Sequence, residues 1–196
     1  MTRRQGFSLT WTENMEKYLK EGEVLGHGNN GIVYLLPSGK VMKIFGRKKV
    51  CDDEYYILKK ACKKSSNFPK VYESGENYII RDYVDGKRLD KYLKKHKLDK
   101  VLSINLIKLI KEFEKLGFKK LDIRCKDLYV QKDLTLKVID PKQSYKKNVP
   151  YPRHLMKGIE KKGQLPIFLN ILKEYDKELY DFWSFRIYQY LVLNIK

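Results

Sequence analysis

Three glycines in the first part of the chain have a spacing that could bind phosphate. Gly26, Gly28 and Gly31 lie in the stretch LGHGNNGIVY, which follows the pattern GxGxxGxV with Val33 as its last residue. Glycine at such positions lets backbone amides approach phosphate oxygens, because there is no Cβ in the way. Gly-rich hairpins without a ligand also occur, so the motif alone leaves a purely structural role open.

A lysine and a glutamate follow this motif in an order that would let them pair. Lys43 lies in the apolar run VMKI, and a lysine on a buried face needs an anionic partner. Glu54, one turn into the next helical pattern, is able to supply it. Separately, each residue is as well explained by a solvent-exposed position. The order of glycine motif, lysine and glutamate favours the pair.

Three aspartates and an arginine form a second candidate set. Asp122 precedes a predicted loop, Arg124 follows it by two residues and Asp127 by five. Asp140 ends the next predicted strand. Aspartates are common in turns and at strand ends, so each has a structural alternative. Their position after the glycine motif and the lysine favours a functional set.

The elements that must position these residues change from strands to helices near Asp85-Gly86. Apolar periodicity predicts strands over 31–36, 40–45, 71–73 and 77–83 with one helix over 51–64. It then predicts strands over 128–130 and 134–139 and helices over 89–96, 101–116, 166–179 and 181–193. Three prolines after Asp140 predict a loop that extends to about Pro152. The chain is therefore predicted to be α+β, with one lobe over residues 1–84 and a second over 85–196.

The motifs resemble, in order and spacing, those of the protein-kinase-like superfamily. In dinucleotide-binding folds GxGxxG opens a helix, whereas here Gly31 leads into a strand, as in the glycine-rich loop of kinases. VMKI resembles the VAIK lysine motif, Glu54 the αC glutamate, and IIRDYVDG the hinge. LDIRCKDLYV followed by LKVID looks like the catalytic loop and the metal-binding aspartate. The resemblance implies a bilobal fold with an antiparallel sheet and one helix in the N-lobe and a reduced, mainly helical C-lobe.

The resemblance also implies a role for each residue of the motifs. ATP would be bound by Gly26, Gly28, Gly31, Val33, Lys43, Glu54, Asp82 and Val84. Asp122 would accept or orient the proton of a substrate hydroxyl, and Arg124 would neutralise the γ-phosphate. Asp127 and Asp140 would hold Mg²⁺ or Mn²⁺. Arg81 falls at the back of the adenine pocket, so either the register differs by one residue or the pocket contains a charge.

Departures from the kinase pattern leave several functions open. Lys120-Leu121 replaces His-Arg before Asp122, and Pro141-Lys142 replaces Phe-Gly after Asp140. The chain after Asp140 is short, which is similar to the RIO kinases, the small kinase of the KEOPS complex and the lipopolysaccharide-core sugar kinases. The implied activity is that of a Ser/Thr protein kinase, including autophosphorylation. The alternatives are a nucleotide-binding pseudokinase scaffold and a small-molecule or sugar kinase of the same fold.

The amino-acid composition indicates which partners and which cellular compartment the protein is expected to have. The formal net charge of +18 would attract nucleic acid or an anionic membrane surface, although the excess of Lys over Arg is also typical of AT-rich codon usage. Three cysteines without CxxC spacing predict reduced thiols in the cytoplasm and no zinc site. No apolar run is long enough to span a bilayer.

Two further expectations concern the second lobe. None of His27, His96 and His154 is expected to be catalytic. Residues 145–154 lie at the place of an activation loop, and two roles stay open for them: contact with substrate or a surface loop. The aromatic residues of the last helix are expected to lie mainly in the core; they are Tyr180, Phe182, Trp183, Phe185, Tyr188 and Tyr190.

Overall fold

The structure is a computed structural model that describes residues 13–28 and 30–195. Its backbone contacts divide the chain into two compact units, Met1–Tyr83 and Val84–Lys196. The sequence places this boundary one residue later. The described residues form seven α-helices, a five-stranded sheet and a three-stranded sheet, which confirms an α+β class.

The first unit is built on the five-stranded sheet. Its elements are α1 (Glu13–Glu21), β1 (Glu23–Gly28), β2 (Gly31–Leu35), β3 (Lys40–Phe45), α2 (Lys48–Ala61), β4 (Val71–Ser74) and β5 (Tyr78–Asp82). The strand order is β1-β2-β3-β5-β4, and every pair is antiparallel. The predicted hairpin of β2 and β3 is therefore confirmed. Helix α1 was not expected, because only a few apolar residues mark it in the sequence.

Both faces of the central strand β3 are buried, and its side chains alternate between two apolar clusters. Met42 and Ile44 pack with Leu36, Tyr78 and Ile80, and this cluster also receives two residues of α1, Tyr18 and Leu19. On the other face, Phe45 packs with Ile79 and with Cys51 of α2. Residues of α1 pack on one face of β3 and residues of α2 pack on the other. Strand β3 is therefore the most buried strand of the sheet.

The second unit is mainly helical. Its elements are β6 (Lys87–Arg88), α3 (Leu89–Tyr92), α4 (Lys100–Lys115), a 3-10 turn (Cys125–Asp127), β7 (Leu128–Val130), β8 (Leu136–Val138), α5 (Arg153–Glu160), α6 (Leu165–Tyr175) and α7 (Lys177–Leu191). Strands β6, β7 and β8 form the small antiparallel sheet. Helix α4 begins where Asp99 accepts a hydrogen bond from the backbone N–H of Leu102 at 2.7 Å, as an N-cap does.

Local chemistry explains where the second unit differs from the sequence prediction. Strand β8 begins at Leu136 and not at Leu134, because Leu134 has a positive φ of 62° and closes the turn. Helix α6 ends at Tyr175, because Asp176 leaves the helical conformation and caps α7 by accepting from the N–H of Leu179 at 3.0 Å. Residues 153–160 are helix α5, so the alternative in which a surface loop continues to residue 154 does not hold.

The expectation that the aromatic residues of α7 lie mainly in the core holds for Trp183 and was wrong for three others. Trp183 and Ile187 are buried, one turn apart on the face that packs inward. Phe182, Phe185 and Tyr188 are exposed, because they lie on other faces of the same helix. None of the helices among the described residues is long and apolar enough to cross a membrane.

Candidate functional site

The strand register of the first unit aligns three of the predicted nucleotide-binding residues. Gly26 pairs with Val33 across β1 and β2, and Val33 pairs with Lys43 across β2 and β3. Lys43 pairs in turn with Ile79 of β5. Directly paired residues of antiparallel strands project from the same face. The glycine hairpin, Val33 and Lys43 therefore form one continuous row.

The two ends of the glycine motif use glycine for different reasons. Gly31 has φ of 147°, and a Cβ there would overlap the backbone carbonyl of Ile44, so only glycine fits. At Gly26 and Gly28 a Cβ would meet no atom of the described residues within 4 Å. Asn29, the residue between the second and third glycines, lies outside the described residues. Gly26 and Gly28 therefore have open space on the side where a Cβ would lie.

Lys43 and Glu54 form the buried ion pair that the sequence suggested. The Lys43 ammonium donates to both carboxylate oxygens of Glu54, at 2.8 Å to Oε1 and 2.6 Å to Oε2. Only 9% of the Lys43 side chain and 4% of the Glu54 side chain are exposed. The ammonium also lies 4.7 Å from the centre of the Phe45 ring. The alternative in which both side chains point to solvent does not hold in this structure.

The register also decides how Arg81 is placed. Val41 pairs with Arg81 just as Lys43 pairs with Ile79, so the arginine projects from the same face as Lys43. Its side chain is buried, and Nη1 donates to the backbone carbonyl of Asp82 at 2.9 Å. The lysine-bearing face therefore contains a second cation.

The two predicted hinge residues lie on either side of the unit boundary. The Asp82 carboxylate accepts from the backbone N–H of Lys70 and from the Tyr72 hydroxyl, both at 2.8 Å. This carboxylate raises the pKa of Tyr72, chiefly through the hydrogen bond. Val84 is buried in the second unit. The Asp82 side chain thus has a local structural role beside any role of its backbone.

A chain of alternating charges in the second unit contains both predicted metal ligands. Lys142 contacts Asp140 at 2.6 Å, and Nη2 of Arg124 lies 3.7 Å from the same carboxylate oxygen. Arg124 also donates to both oxygens of Asp127, at 2.5 Å through Nε and 3.0 Å through Nη2. The sequence grouped three of these four residues. Lys142 entered the sequence reasoning only as a departure from the kinase pattern.

Burial and charged neighbours both act on the Asp127 carboxylate. Burial is the largest cause that raises the pKa of Asp127; Arg124 opposes it, and the nearby charge of Asp140 adds to it. Carboxylate oxygens are the ligands that Mg²⁺ prefers, usually one or two together with phosphate oxygens. The donor set of Asp127 and Asp140 therefore fits this ion. Among residues 13–28 and 30–195, no group of three or more His, Cys, Asp or Glu side chains is arranged to hold a metal by itself.

Asp122 has an environment different from that of the other two aspartates. Its side chain is 0% exposed. Oδ1 accepts from the backbone N–H of His154 at 2.9 Å and from that of Leu155 at 3.4 Å, and Oδ2 contacts Nδ1 of His154. These N–H groups belong to the first turn of α5, where helices have unsatisfied donors. Asp122 therefore caps α5 from a distant part of the chain.

His154 is the residue of this site that the sequence reasoning missed. It lies 32 positions after Asp122, and 41% of its side chain is exposed. The missed signal was the short run Arg153–Glu160, whose buried residues Leu155, Met156 and Ile159 recur at helical spacing. Reading this run as a helix would have placed His154 at a helix N-terminus, where a carboxylate partner is expected.

Backbone hydrogen bonds fix the segment that carries Asp122. The N–H groups of Lys119 and Lys120 both donate to the carbonyl of Ser144, at 2.8 and 3.0 Å. The Leu121 N–H donates to the Val149 carbonyl at 2.8 Å. The Lys120 ammonium donates to the Lys142 carbonyl at 3.1 Å, and burial lowers the pKa of Lys120. The residues after Asp140 thus hold the loop that begins at Asp122.

The structure brings the predicted residues together in two sets, one within each unit. Comparison with protein-family models and with curated proteins finds no match for this chain. The resemblance to protein kinases therefore stays a prediction from the sequence motifs.

Proposed function

We propose that this protein is an ATP-dependent phosphotransferase of the protein-kinase-like superfamily that transfers the γ-phosphate to a hydroxyl group. The observation that carries the proposal is the buried Lys43–Glu54 pair in one row with the glycine hairpin. An isolated ammonium at this depth would be costly, so the carboxylate holds it in place. A lysine fixed beside an open glycine hairpin is suited to bind the phosphates of a nucleotide.

The charged cluster of the second unit supplies the remaining parts that phosphoryl transfer needs. Asp127 and Asp140 would hold Mg²⁺ or Mn²⁺, which neutralises charge on the transferred phosphate. The Arg124 guanidinium, now held by both carboxylates, would be free to contact phosphate oxygens once a cation replaced it there. Lys142 competes with a cation for Asp140, so metal binding is expected to displace its ammonium.

Ser and Thr side chains of a protein, including this chain itself, are the proposed acceptors. A small hydroxyl compound such as a sugar is the alternative acceptor, and assays with several acceptors distinguish the two. The cation-rich surface expected from the net charge of +18 favours an acceptor with negative charge near its hydroxyl group.

The proposal is tested with ATP labelled in the γ-phosphate. The protein is incubated with Mg²⁺ or Mn²⁺ and dephosphorylated casein, beside Lys43→Met and Asp140→Ala. The label should reach casein or the protein itself, and both variants should lower the rate about 100-fold or more. Lys48→Met is the matched control, because the Lys48 side chain is 56% exposed on α2 and pairs with the exposed Asp52. Absence of label on any acceptor, or equal rates in all variants, would refute the proposal.

A second candidate is a nucleotide-binding scaffold without transfer. Two observations favour it: Asp122 is fully buried, and Asp140 is paired with Lys142 at 2.6 Å. In this case ATP should raise the melting temperature of the protein while no label is transferred. A Lys43→Met variant should lose this shift in melting temperature, and detectable transfer by the unmodified protein would eliminate the scaffold hypothesis.

A further inference from the structure

Asp122 is poorly placed to meet a substrate directly. A general base must come within hydrogen-bond distance of the proton that it removes. The Asp122 side chain is 0% exposed, and both of its oxygens already accept from the first turn of α5. A substrate hydroxyl could reach the carboxylate only if α5 moved away.

His154 lies between that carboxylate and solvent. Its Nδ1 is paired with Oδ2 of Asp122, and its own backbone N–H donates to Oδ1 at 2.9 Å. A carboxylate on Nδ1 fixes the tautomer and leaves Nε2 as the nitrogen that can take up a proton. Because 41% of the side chain is exposed, the imidazole, and not the carboxylate, is accessible to an acceptor.

Close packing holds this pair together. Gly158, one turn further along α5, lies against Cys125 of the 3-10 turn, where a Cβ would come within 2.5 Å of the cysteine sulfur. The Cys125 thiol also contacts the Leu155 carbonyl at 3.6 Å. Glycine is unfavourable inside a helix, so its presence here fits a need for close approach. The first turn of α5 is thereby held against the loop that carries Asp122.

We propose that His154 is the general base of the phosphotransfer reaction and that Asp122 is the positioning residue that orients it. The inference rests on the proposed function. The acceptor hydroxyl gives its proton to Nε2 of His154 while its oxygen forms a bond to the γ-phosphorus. The bond from that phosphorus to the β,γ-bridging oxygen breaks, and ADP leaves with the electron pair. The imidazolium, paired with the Asp122 carboxylate, then returns the proton to solvent.

Other charged groups surround the imidazole. The Tyr190 ring lies 6.2 Å from the His154 ring, and Arg153 and Lys157 lie over the same tyrosine at 5.5 and 5.2 Å. These two cations place positive charge beside the histidine. An acceptor with a negative group near its hydroxyl would be attracted to this position.

The test separates proton transfer from the capping of α5. In His154→Ala, kcat for label transfer should fall about 100-fold or more, and added imidazole should restore part of it. In His154→Asn, the amide can still donate a hydrogen bond to Asp122, so the melting temperature should stay near that of the unmodified protein. The amide has no counterpart of Nε2, so kcat should fall as far as in His154→Ala. His96→Ala is the control, since His96 stacks on Tyr92 at 4.4 Å elsewhere in the second unit. It should keep the full kcat.

Each outcome decides one hypothesis. Full kcat in His154→Ala, with transfer lost in Asp140→Ala, overturns the role of His154 and leaves the proposed function standing. Restored kcat in His154→Asn, or no recovery of His154→Ala with imidazole, reduces the histidine to a structural partner of Asp122. No transfer by the unmodified protein removes the proposed function and the role of His154 with it.

Asp122 has its own test. If Asp122 acts only through His154, the double variant Asp122→Asn/His154→Ala should have the same kcat as His154→Ala alone. The effects of substituting two residues that act together are not additive. A further fall of about 10-fold or more in the double variant would show that Asp122 contacts the reacting groups itself, which contradicts the proposed positioning role.

Discussion

Removal of one partner from the Lys43–Glu54 pair should destabilise the protein far more than removal of both. In Glu54→Leu the ammonium, with 9% of its side chain exposed, loses both of its hydrogen bonds to the carboxylate. A buried charge left without its partner typically costs about 3–5 kcal/mol. In the double variant Lys43→Met/Glu54→Leu, apolar side chains replace both charges, and the expected loss is about 1 kcal/mol or less.

A double-mutant cycle measured by urea unfolding gives the interaction energy. Each single variant should lose about 3–5 kcal/mol and the double variant about 1 kcal/mol or less, so the expected coupling is about 5 kcal/mol or more. Helix α2 offers a matched control in Lys48 and Asp52, which lie 3.6 Å apart with 56% and 57% of their side chains exposed. That pair should couple by about 0.5 kcal/mol or less. A Lys43–Glu54 coupling as small as that of the control would refute the view that burial makes this pair matter.

Four further predictions concern side chains away from the proposed base. Gln164 is buried, and its amide makes three hydrogen bonds to backbone groups of residues 93–98. Gln164→Leu should therefore lower the free energy of unfolding by about 2–4 kcal/mol. A loss below about 1 kcal/mol would contradict this. Burial raises the pKa of the Cys51 and Cys125 thiols from 9.0 to about 12. Their thiolate fraction at pH 8 is therefore ~10⁻⁴, and iodoacetamide should modify the partly exposed Cys62 first, as mass spectrometry would detect. Because the folded state binds these two protons more tightly, stability should hold below about pH 9 and fall as the pH rises towards 12; equal unfolding energies at pH 8 and pH 10.5 would count against it. Asp127→Asn removes one negative charge from the proposed metal site and should raise the Mg²⁺ concentration for half-maximal transfer about 10-fold, whereas an unchanged requirement would exclude Asp127 as a ligand.

Patterns with one strong physical cause could be predicted from the sequence. A lysine in an apolar strand needs a carboxylate, and Glu54 supplies it. Gly31 has the positive φ that a tight hairpin requires. Strand alternation and helix period gave the α+β class, and the bounds of β7 agree with the prediction. In these places the local sequence alone is enough to predict the structure.

Features that depend on distant partners could not be predicted. Asp122 and His154 are 32 positions apart, and although the run after Arg153 has helical spacing, nothing in it identifies Asp122 as the partner. Helix α5 has only eight residues, follows several prolines and contains Gly158, so its local signal is weak. The faces of α7 depend on which neighbours cover them, and aromatic content alone does not reveal that. Arg81 needed the register of β3 and β5 before its face was known.

The residues after Asp140 explain how the second unit can hold its site without a phosphorylated loop. Pro141 fixes the backbone at the point where kinases have a mobile Phe-Gly pair. Ser144 and Val149 then bond the backbone just before Asp122, and α5 follows with its first turn on that carboxylate. The segment is thus tied to the same loop at both ends, by backbone groups at Ser144 and Val149 and by the Asp122 carboxylate at α5. Under the proposed function, Leu121 would replace the arginine with which kinases bind a phosphorylated loop, and we expect these backbone bonds to provide that positioning instead.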